Sequence, residues 1–225
     1  MSETQRPNPR SERTRAALIA AGRRLFSERP VDAVTVDDIV QAAEVGRGSF
    51  YNHFADREAL LRAISAEIRS LVERAVDRAN AEVADPAARV VRAVCTYLRY
   101  ALDDPERAGV LARVHSGHTS LNAPLNRGVV DDIAKGLAAG RFTLATSEAG
   151  VLYVLGVTQI AFLRVLGDPS LSGAVALAQQ ICALLLRGLG VPATEADLLA
   201  AQASDEVVRQ GAYAVGQADG ASATH

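Results

Sequence analysis

Apolar positions along this chain recur at the spacing of α-helices. Leu18, Ala21, Leu25 and Phe26 fall at i, i+3, i+7 and i+8, one face of a helix running from about Ser11 to Ser27. Pro30 ends that helix, because the residue before a proline disfavours helical backbone. Thr35 opens a second helix: its hydroxyl can cap free N–H groups, and Asp37 and Asp38 suit the positive end of the helix dipole. Ile39, Val40 and Ala43 give this helix an apolar face. The turn Ala43-Glu44-Val45-Gly46 leads into a short third helix over about Arg47 to His53, where Phe50 and Phe54, four apart, point into a small core. Asp56 then caps a long fourth helix to about Ala84, striped by Leu60, Ile64, Ile68, Leu71, Val72, Ala75 and Val76.

Asp85-Pro86 breaks the pattern. Helical segments follow near 87–102, 105–115, 124–139, 147–167 and 171–188, with a further amphipathic stretch over 194–210. Asp104-Pro105, Gly140-Arg141-Phe142, Gly167-Asp168-Pro169 and Gly190-Val191-Pro192 punctuate them. No alternating strand pattern of any length occurs. The chain therefore reads as all-α. Residues 1–10 read as a disordered arm, 11–56 as a three-helix unit, 57–215 as a larger helical domain, and 216–225 as a disordered tail.

Charge and composition narrow the function classes. The net charge is −2, so any nucleic-acid contact rests on local placement of cations. Lys135 is the one lysine among 24 basic side chains, a bias that carries no functional weight alone. Cys95 and Cys182 make neither a disulfide framework nor a metal cluster. Both sit in apolar helical runs and read as inert buried thiols. The basic N-terminus lacks a following apolar stretch, so no secretory signal is expected. The run Ala149 to Val165 contains Thr158, Gln159 and Arg164 and reads as a buried helix, not a membrane span. A cytoplasmic protein is expected.

The stretch 35–60 carries the most specific signal. A capped helix, a tight turn and a short helix rich in Arg, Ser, Tyr, Asn and His form the order that a helix-turn-helix DNA reader needs. Three blocks, Arg-Thr-Arg-Ala-Ala-Leu-Ile-Ala-Ala-Gly-Arg-Arg-Leu-Phe, Thr-Val-Asp-Asp-Ile and Gly-Ser-Phe-Tyr-Asn-His-Phe-Ala-Asp-Arg-Glu-Ala-Leu, resemble the TetR family of bacterial transcriptional repressors over roughly residues 12–64. The rest is similar only in style, through Lys135-Gly136 and Gly140-Arg141-Phe142. The resemblance implies a homodimer on a palindromic operator, released by a small-molecule effector. Two heads are then about one helical turn of DNA apart, roughly 34–36 Å. The segments 147–167 and 171–188 are apolar nearly all round, through Leu152, Val157, Ile160, Leu163, Val175, Ala178, Ile181, Leu185 and Leu186, and packing against a second copy would cover them. Two departures stand at the turn: Glu44 where the family often has Gly, and Gly46 where it often has Ser or Thr.

Candidate DNA contacts are Thr35, Arg47, Gly48, Ser49, Tyr51, Asn52, His53 and Arg57. Arg47, in the first turn of the recognition helix, is expected to reach a guanine edge or a phosphate; a solvated surface arginine is the bland alternative. Tyr51 lies one turn on, with a phenol able to donate to phosphate. His53 and Ser49 can do the same, and Thr35 can both cap its helix and touch the backbone. Arg57 matches a family position that grips phosphate; a surface ion pair is its alternative. Phosphate contacts position a head, while Arg47, Ser49 and Asn52 are expected to set specificity.

His115 and His118 could share a metal, but no acid or thiol close by completes a set. A helical enzyme or metal protein built on them is the alternative function. Against it, no nucleophile elbow, phosphate loop or Cys-x-x-Cys occurs, and no catalytic residue, cofactor or metal is expected. Tyr97, Arg113, His115, His118, Asn122, Tyr153 and Gln159 are candidates to face an effector pocket.

Overall fold

A computed structural model describes residues 9–115 and 126–213. The expected arm (apart from Pro9 and Arg10), the tail from 216, and His118 and Asn122 lie outside the described residues. Ten α-helices are present among those described: α1 (Pro9–Glu28), α2 (Val36–Ala42), α3 (Arg47–Tyr51), α4 (Arg57–Asn80), α5 (Pro86–Asp103), α6 (Pro105–His115), α7 (Arg127–Ala138), α8 (Ser147–Gly167), α9 (Leu171–Gly188) and α10 (Ala193–Ala203). A 3₁₀ turn, Val31–Ala33, links α1 to α2, and a π-helical turn, Ser204–Arg209, ends the fold. No strand occurs among the described residues.

Helix starts follow capping chemistry. Thr35 Oγ1 accepts from Asp38 N–H while Asp38 Oδ2 accepts from Thr35 N–H, closing a capping box at α2. Asp56 Oδ1 accepts from Ala59 N–H at α4, and Asp85, Thr146 and Ser170 cap α5, α8 and α9. Helix α1 already includes Pro9 and Arg10, two residues before its expected start. Helix α3 ends at Tyr51 and α4 at Asn80, short of the expected His53 and Ala84. Asn52 and His53 instead form the turn to α4, with His53 N–H donating to Phe50 O at 2.9 Å.

Leu18, Leu25 and Phe26 of α1, Ile39 of α2, Phe50 of α3 and Phe54 close one core. Leu60 and Ile64 of α4 fit against the bare backbone of Gly22, where an added Cβ would lie 2.8 Å from Leu60 Cδ2. Helix α5 is the axis of the larger bundle. Val90, Val91, Val94, Cys95, Leu98 and Ala101 bury its inner face, and α4, α6, α7, α8, α9 and α10 all pack on it.

The segment 136–142 forms a tight C-terminal turn. Gly140 has φ of 66°, a conformation natural to glycine. Arg141 N–H and Phe142 N–H both donate to Gly136 O. The Phe142 ring lies so close that a Cβ at Gly136 would fall 2.1 Å from it. Arg141 then ties three elements together, binding Asp85 (2.8 Å) before α5 and Glu195 (2.7 Å) in α10.

Candidate nucleic-acid interface and ligand cavity

The two short helices α2 and α3 meet at Glu44, which has φ of 55°. That left-handed backbone closes the turn by letting Val45 N–H reach Val40 O at 3.0 Å, at the steric expense an L-residue meets there. Gly46 then takes an extended conformation as the N-cap of α3, with no side-chain cap. Phe50 anchors α3, fully buried against Phe54 at a ring separation of 5.9 Å. With Phe50 turned inward, Arg47, Gly48, Tyr51 and Asn52 are exposed and Ser49 and His53 half-exposed. The sequence-predicted candidates of α3 and the turn after it are thus exposed or half-exposed, while Phe50 and Phe54 are buried.

Four of the candidates, Arg47, Tyr51, Thr35 and Arg57, have side-chain hydrogen-bond partners inside the head. Arg47 Nη1 donates to Asp37 Oδ1 (2.9 Å) and Oδ2 (3.2 Å). A hydrogen bond with Tyr51, followed by the Asp37 charge, holds its guanidinium above the ordinary arginine value. Thr35 Oγ1 is occupied by the capping box, donating to Asp38 Oδ2 at 2.7 Å; hydrogen bonds from Thr35 hold the Asp38 carboxyl below its usual range. Arg57 is committed most fully. Its Nη1 donates to the carbonyls of Val31 (3.1 Å), Asp32 (3.3 Å) and Val34 (2.9 Å), while Nε and Nη2 reach Glu58. This guanidinium closes the 3₁₀ turn onto the start of α4. Asp37 was not a sequence candidate; its place in the first turn of α2 read as dipole chemistry alone.

A cavity of about 440 Å³ lies between α4, α5, α7 and α8, with Leu111 of α6 on one wall. Tyr97 and Gln159, both expected to face a pocket, line it. Arg113 and Tyr153 are not among its lining residues. Arg113 donates from Nε and Nη2 to Ser27 O at the end of α1, and Tyr153 sits on the outer face of α8, its hydroxyl 3.4 Å from Leu184 O. His115 closes α6. The lining adds residues that the sequence did not single out: Glu73, Asp77 and Asn80 on α4, Arg89 on α5 and Asp132 and Lys135 on α7. At i, i+4 and i+7, Glu73, Asp77 and Asn80 form a polar stripe beside the apolar one, which in sequence looks like a solvated face.

Arg89 bridges that wall. Its Nε donates to the buried Asp132 carboxylate at 2.6 Å and its Nη1 to the carbonyls of Asn80 (3.0 Å) and Val83 (3.2 Å). Tyr97 stands edge-on to Phe162, ring centroids 6.4 Å apart. Loss of water pushes its phenol above the ordinary tyrosine value, and the Glu73 charge pushes it the same way. Among the described residues, no group of three His, Cys, Asp or Glu side chains could hold a metal ion.

Known proteins share both parts of this architecture. Residues 18–64 match the family model for bacterial regulatory proteins of the tetR family, and residues 85–202, more than half the chain, match that for a tetracyclin repressor-like C-terminal domain. The repressor DhaR of Mycobacterium sp. (strain GP1) is 36% identical over 75 residues, 33% of this chain and 38% of that protein. The repressor LfrR of Mycolicibacterium smegmatis is 35% identical over 69 residues, 31% of this chain and 35% of that protein. The matched stretches span less than half the length of these relatives. The solved structure of RolR in complex with resorcinol is 29% identical, covers 86% of this chain and 95% of its own, and superposes with a TM-score of 0.56. A gamma-butyrolactone receptor, 21% identical and covering 88% of this chain and 100% of its own, shares the fold with a TM-score of 0.63. The head over α1–α4 and the helical bundle behind it together place the chain in the TetR family of bacterial regulatory proteins.

Proposed function

We propose that this protein is a transcriptional repressor that binds a palindromic operator as a homodimer and releases it when a small organic molecule enters the cavity. The observation that carries the reading is the outward surface of α3 and the turn after it, where Arg47, Ser49 and Tyr51 on the helix and Asn52 and His53 in the turn stand exposed or half-exposed around the buried Phe50. Arg47 and Tyr51 are assigned to base edge and phosphate, Ser49, Asn52 and His53 to the same groove, and Gly48 to close backbone approach. Thr35 and Arg57 act mainly by fixing the frame of the head, with phosphate contact secondary to the cap and to the carbonyls that Arg57 ties down. We divide the chain into a DNA-binding head over residues 11–56 and an effector-binding and dimerisation domain beyond it, and place the protein in the cytoplasm.

Dimerisation through α8 and α9 is supported by apolar side chains that the chain leaves uncovered. Ile160 is 69% exposed, and Leu152, Leu163, Leu171 and Leu184 are also exposed. Both helices are long and apolar enough to cross a membrane by length and composition. However, Val175, Ala178, Leu185 and Leu186 bury one side of α9 in this chain's own core, so a second protein copy, not lipid, is the fitting cover for the other. RolR is a protein solved with resorcinol, and a molecule of that small size or somewhat larger suits a cavity of about 440 Å³. Helix α4 carries one wall of the cavity and enters the head at Arg57, so ligand binding tilts α4 and changes the spacing of the two heads.

A gel-shift on DNA upstream of the gene itself, run across a salt series, tests the proposal. A retarded complex of two chains whose affinity falls steeply with salt is expected. No binding to that DNA even at low salt overturns it.

A further inference from the structure

The charges inside the cavity are not balanced. Arg89 spends its guanidinium on Asp132 and on two carbonyls. Arg127, Asp131 and Lys135 are exposed and follow one another along α7 at four-residue steps, so they stand at the rim with mixed sign. The α4 wall differs. Glu73 and Asp77 line the cavity, and neither has a cation at salt-bridge distance among the described residues; Asp77 is exposed and belongs to the rim with the α7 charges, which leaves Glu73 as the unpaired inner acid. Glu73 is the inner of the two, only half-exposed and close enough to Tyr97 for its charge to bear on the phenol.

A second observation at the same wall is independent of charge. Asn80 is 4% exposed. Its Nδ2 donates to Arg89 O at 3.3 Å, but its Oδ1 is buried and accepts no hydrogen bond among the described residues. A buried acceptor without a donor costs free energy, and this one lines a cavity of about 440 Å³. Thr158 adds another acceptor, since its hydroxyl proton is spent on Val154 O at 2.7 Å. The rings of Tyr97 and Phe162 and the side chains of Val90, Val94 and Val154 line the same cavity.

Resting on the effector reading above, we infer that the ligand is a protonated organic amine on an aromatic or aliphatic body, with its N–H donors toward Glu73 and Asn80. A carboxylate ligand would meet Glu73 with, among the described residues, no uncommitted cation inside to answer it, since Arg89 is paired with Asp132 and Arg127 and Lys135 stand at the rim. A neutral alcohol could satisfy Asn80 but would leave the Glu73 charge unanswered. An ammonium answers both, and the Tyr97 and Phe162 rings suit a cation-bearing apolar body.

Three probes of one shape test this on the full-length, DNA-free protein by calorimetry: 4-phenylbutylamine, 4-phenylbutan-1-ol and 4-phenylbutyrate. The amine is expected to bind about tenfold or more tighter than the alcohol, the scale of a hydrogen bond to a charged group, with the carboxylate weakest. Glu73→Gln should collapse the amine's advantage and leave the alcohol's affinity in place, whereas Glu73→Asp, which keeps the charge, and Lys135→Gln at the rim should preserve the advantage. Equal or tighter binding of the alcohol or the carboxylate, no binding of any probe, or an unchanged preference in a folded Glu73→Gln protein overturns the inference. Operator binding measured alongside separates the two readings. Intact DNA binding with no amine preference removes only the ligand class, and amine binding without upstream DNA binding removes only the repressor.

Discussion

The Arg47 guanidinium rests on the Asp37 carboxylate, across the turn that joins the two short helices of the head, with Nη1 2.9 Å from Oδ1. Both side chains are well exposed, at 59% and 69%, so the pair contributes little to folding. Its consequence is competitive: Arg47 cannot fork onto a guanine while its Nη1 and its orientation are held by Asp37. Arg47→Ala is therefore expected to weaken operator binding on the order of tenfold or more and to relax preference at one base position. Asp37→Ala should do the opposite to non-specific binding, raising it severalfold by removing a negative charge beside the phosphates. Fluorescence anisotropy on operator and scrambled duplexes reads both. Equal loss on all sequences for Arg47→Ala would reassign that arginine to a phosphate. Weaker operator binding by Asp37→Ala would make Asp37 itself a base contact.

Glu44 holds the same turn at φ 55°, a backbone that an L-residue reaches at a cost of roughly 1–2 kcal/mol and glycine reaches freely. Glycine also loses more freedom on folding, so the net gain is smaller. Glu44→Gly is expected to raise stability by up to about 1 kcal/mol, and Glu44→Val, β-branched, to lower it. Urea unfolding of the three proteins checks the order. A less stable Glu44→Gly protein would mean that the carboxylate, not the backbone, is what the turn needs.

Much of this architecture is local chemistry and therefore legible before any fold is known. The caps at Thr35 and Asp56, the spacing of Phe50 and Phe54, and the breaks at Pro86 and Pro105 act within a few residues, and each stands where the pattern puts it. The positive φ at Glu44 was likewise readable as a departure at a turn. Cavity walls are not local. Tyr97 and Tyr153 are both tyrosines in apolar helices, yet Tyr97 faces the cavity beside Phe162 and Tyr153 lies on the outer face of α8. Only the packing of α5 against α8 distinguishes them. The Glu73, Asp77 and Asn80 stripe was hidden for the same reason, because a polar helix face looks alike whether it meets solvent or a cavity. Arg57 shows the converse: its sequence position suited phosphate, and the carbonyls that occupy it come from residues more than twenty positions upstream.

The final turn of the fold gives a pH-dependent contact. Arg92 pairs with Glu206 at 2.6 Å and lies 5.2 Å from the Tyr213 ring, whose hydroxyl donates to the same carboxylate. The Arg92 hydrogen bonds hold the Glu206 carboxyl below its usual 4.5, with help from Tyr213 and against the burial that opposes them. A carboxyl depressed in the folded state stabilises above its unfolded pKa and loses that contribution as pH falls through its folded value. The melting-temperature gap between the parent and Arg92→Met should be widest near neutral pH and narrow as pH drops below about 4. A remainder will persist, because Arg92 Nε also donates to Ala79 O. A gap independent of pH would assign the whole effect to that carbonyl and to packing.

Cys95 of α5 and Cys182 of α9 are both fully buried, their sulfurs 3.9 Å apart. The contact with Cys182, followed by burial, pushes the Cys95 thiol well above its ordinary value, which disfavours the reactive thiolate. The native protein is expected to resist an aromatic disulfide reagent at pH 8, while urea-unfolded chains react at both of their two cysteines. Native reaction at the unfolded rate would show that the α5–α9 core opens far more readily than its packing indicates.

Helix α6 touches both the cavity and the head, and this makes it the second route, beside α4, by which ligand reaches DNA. Leu111 lines the cavity. On its other side, Arg113 donates twice to Ser27 O, at 3.2 and 3.0 Å, Glu106 pairs with Arg23 at 2.5 Å, and the Gly109 backbone packs on Ser27 closely enough that an added Cβ would lie 3.3 Å from the Ser27 Cβ. All three contacts sit on the last two turns of α1, whose Leu25 and Phe26 support the core behind α3. Loosening this seam should leave DNA recognition intact and weaken the coupling. Arg113→Ala with Glu106→Gln is expected to keep operator affinity within about twofold while raising the ligand concentration for half-release about fivefold or more, the lower range of coupling energies between sites. Anisotropy titrations with the tightest of the three calorimetric probes give both numbers. An unchanged half-release point with the seam broken would leave α4 as the carrier, since among the described residues α4 and α6 are the cavity walls that pack substantially on α1.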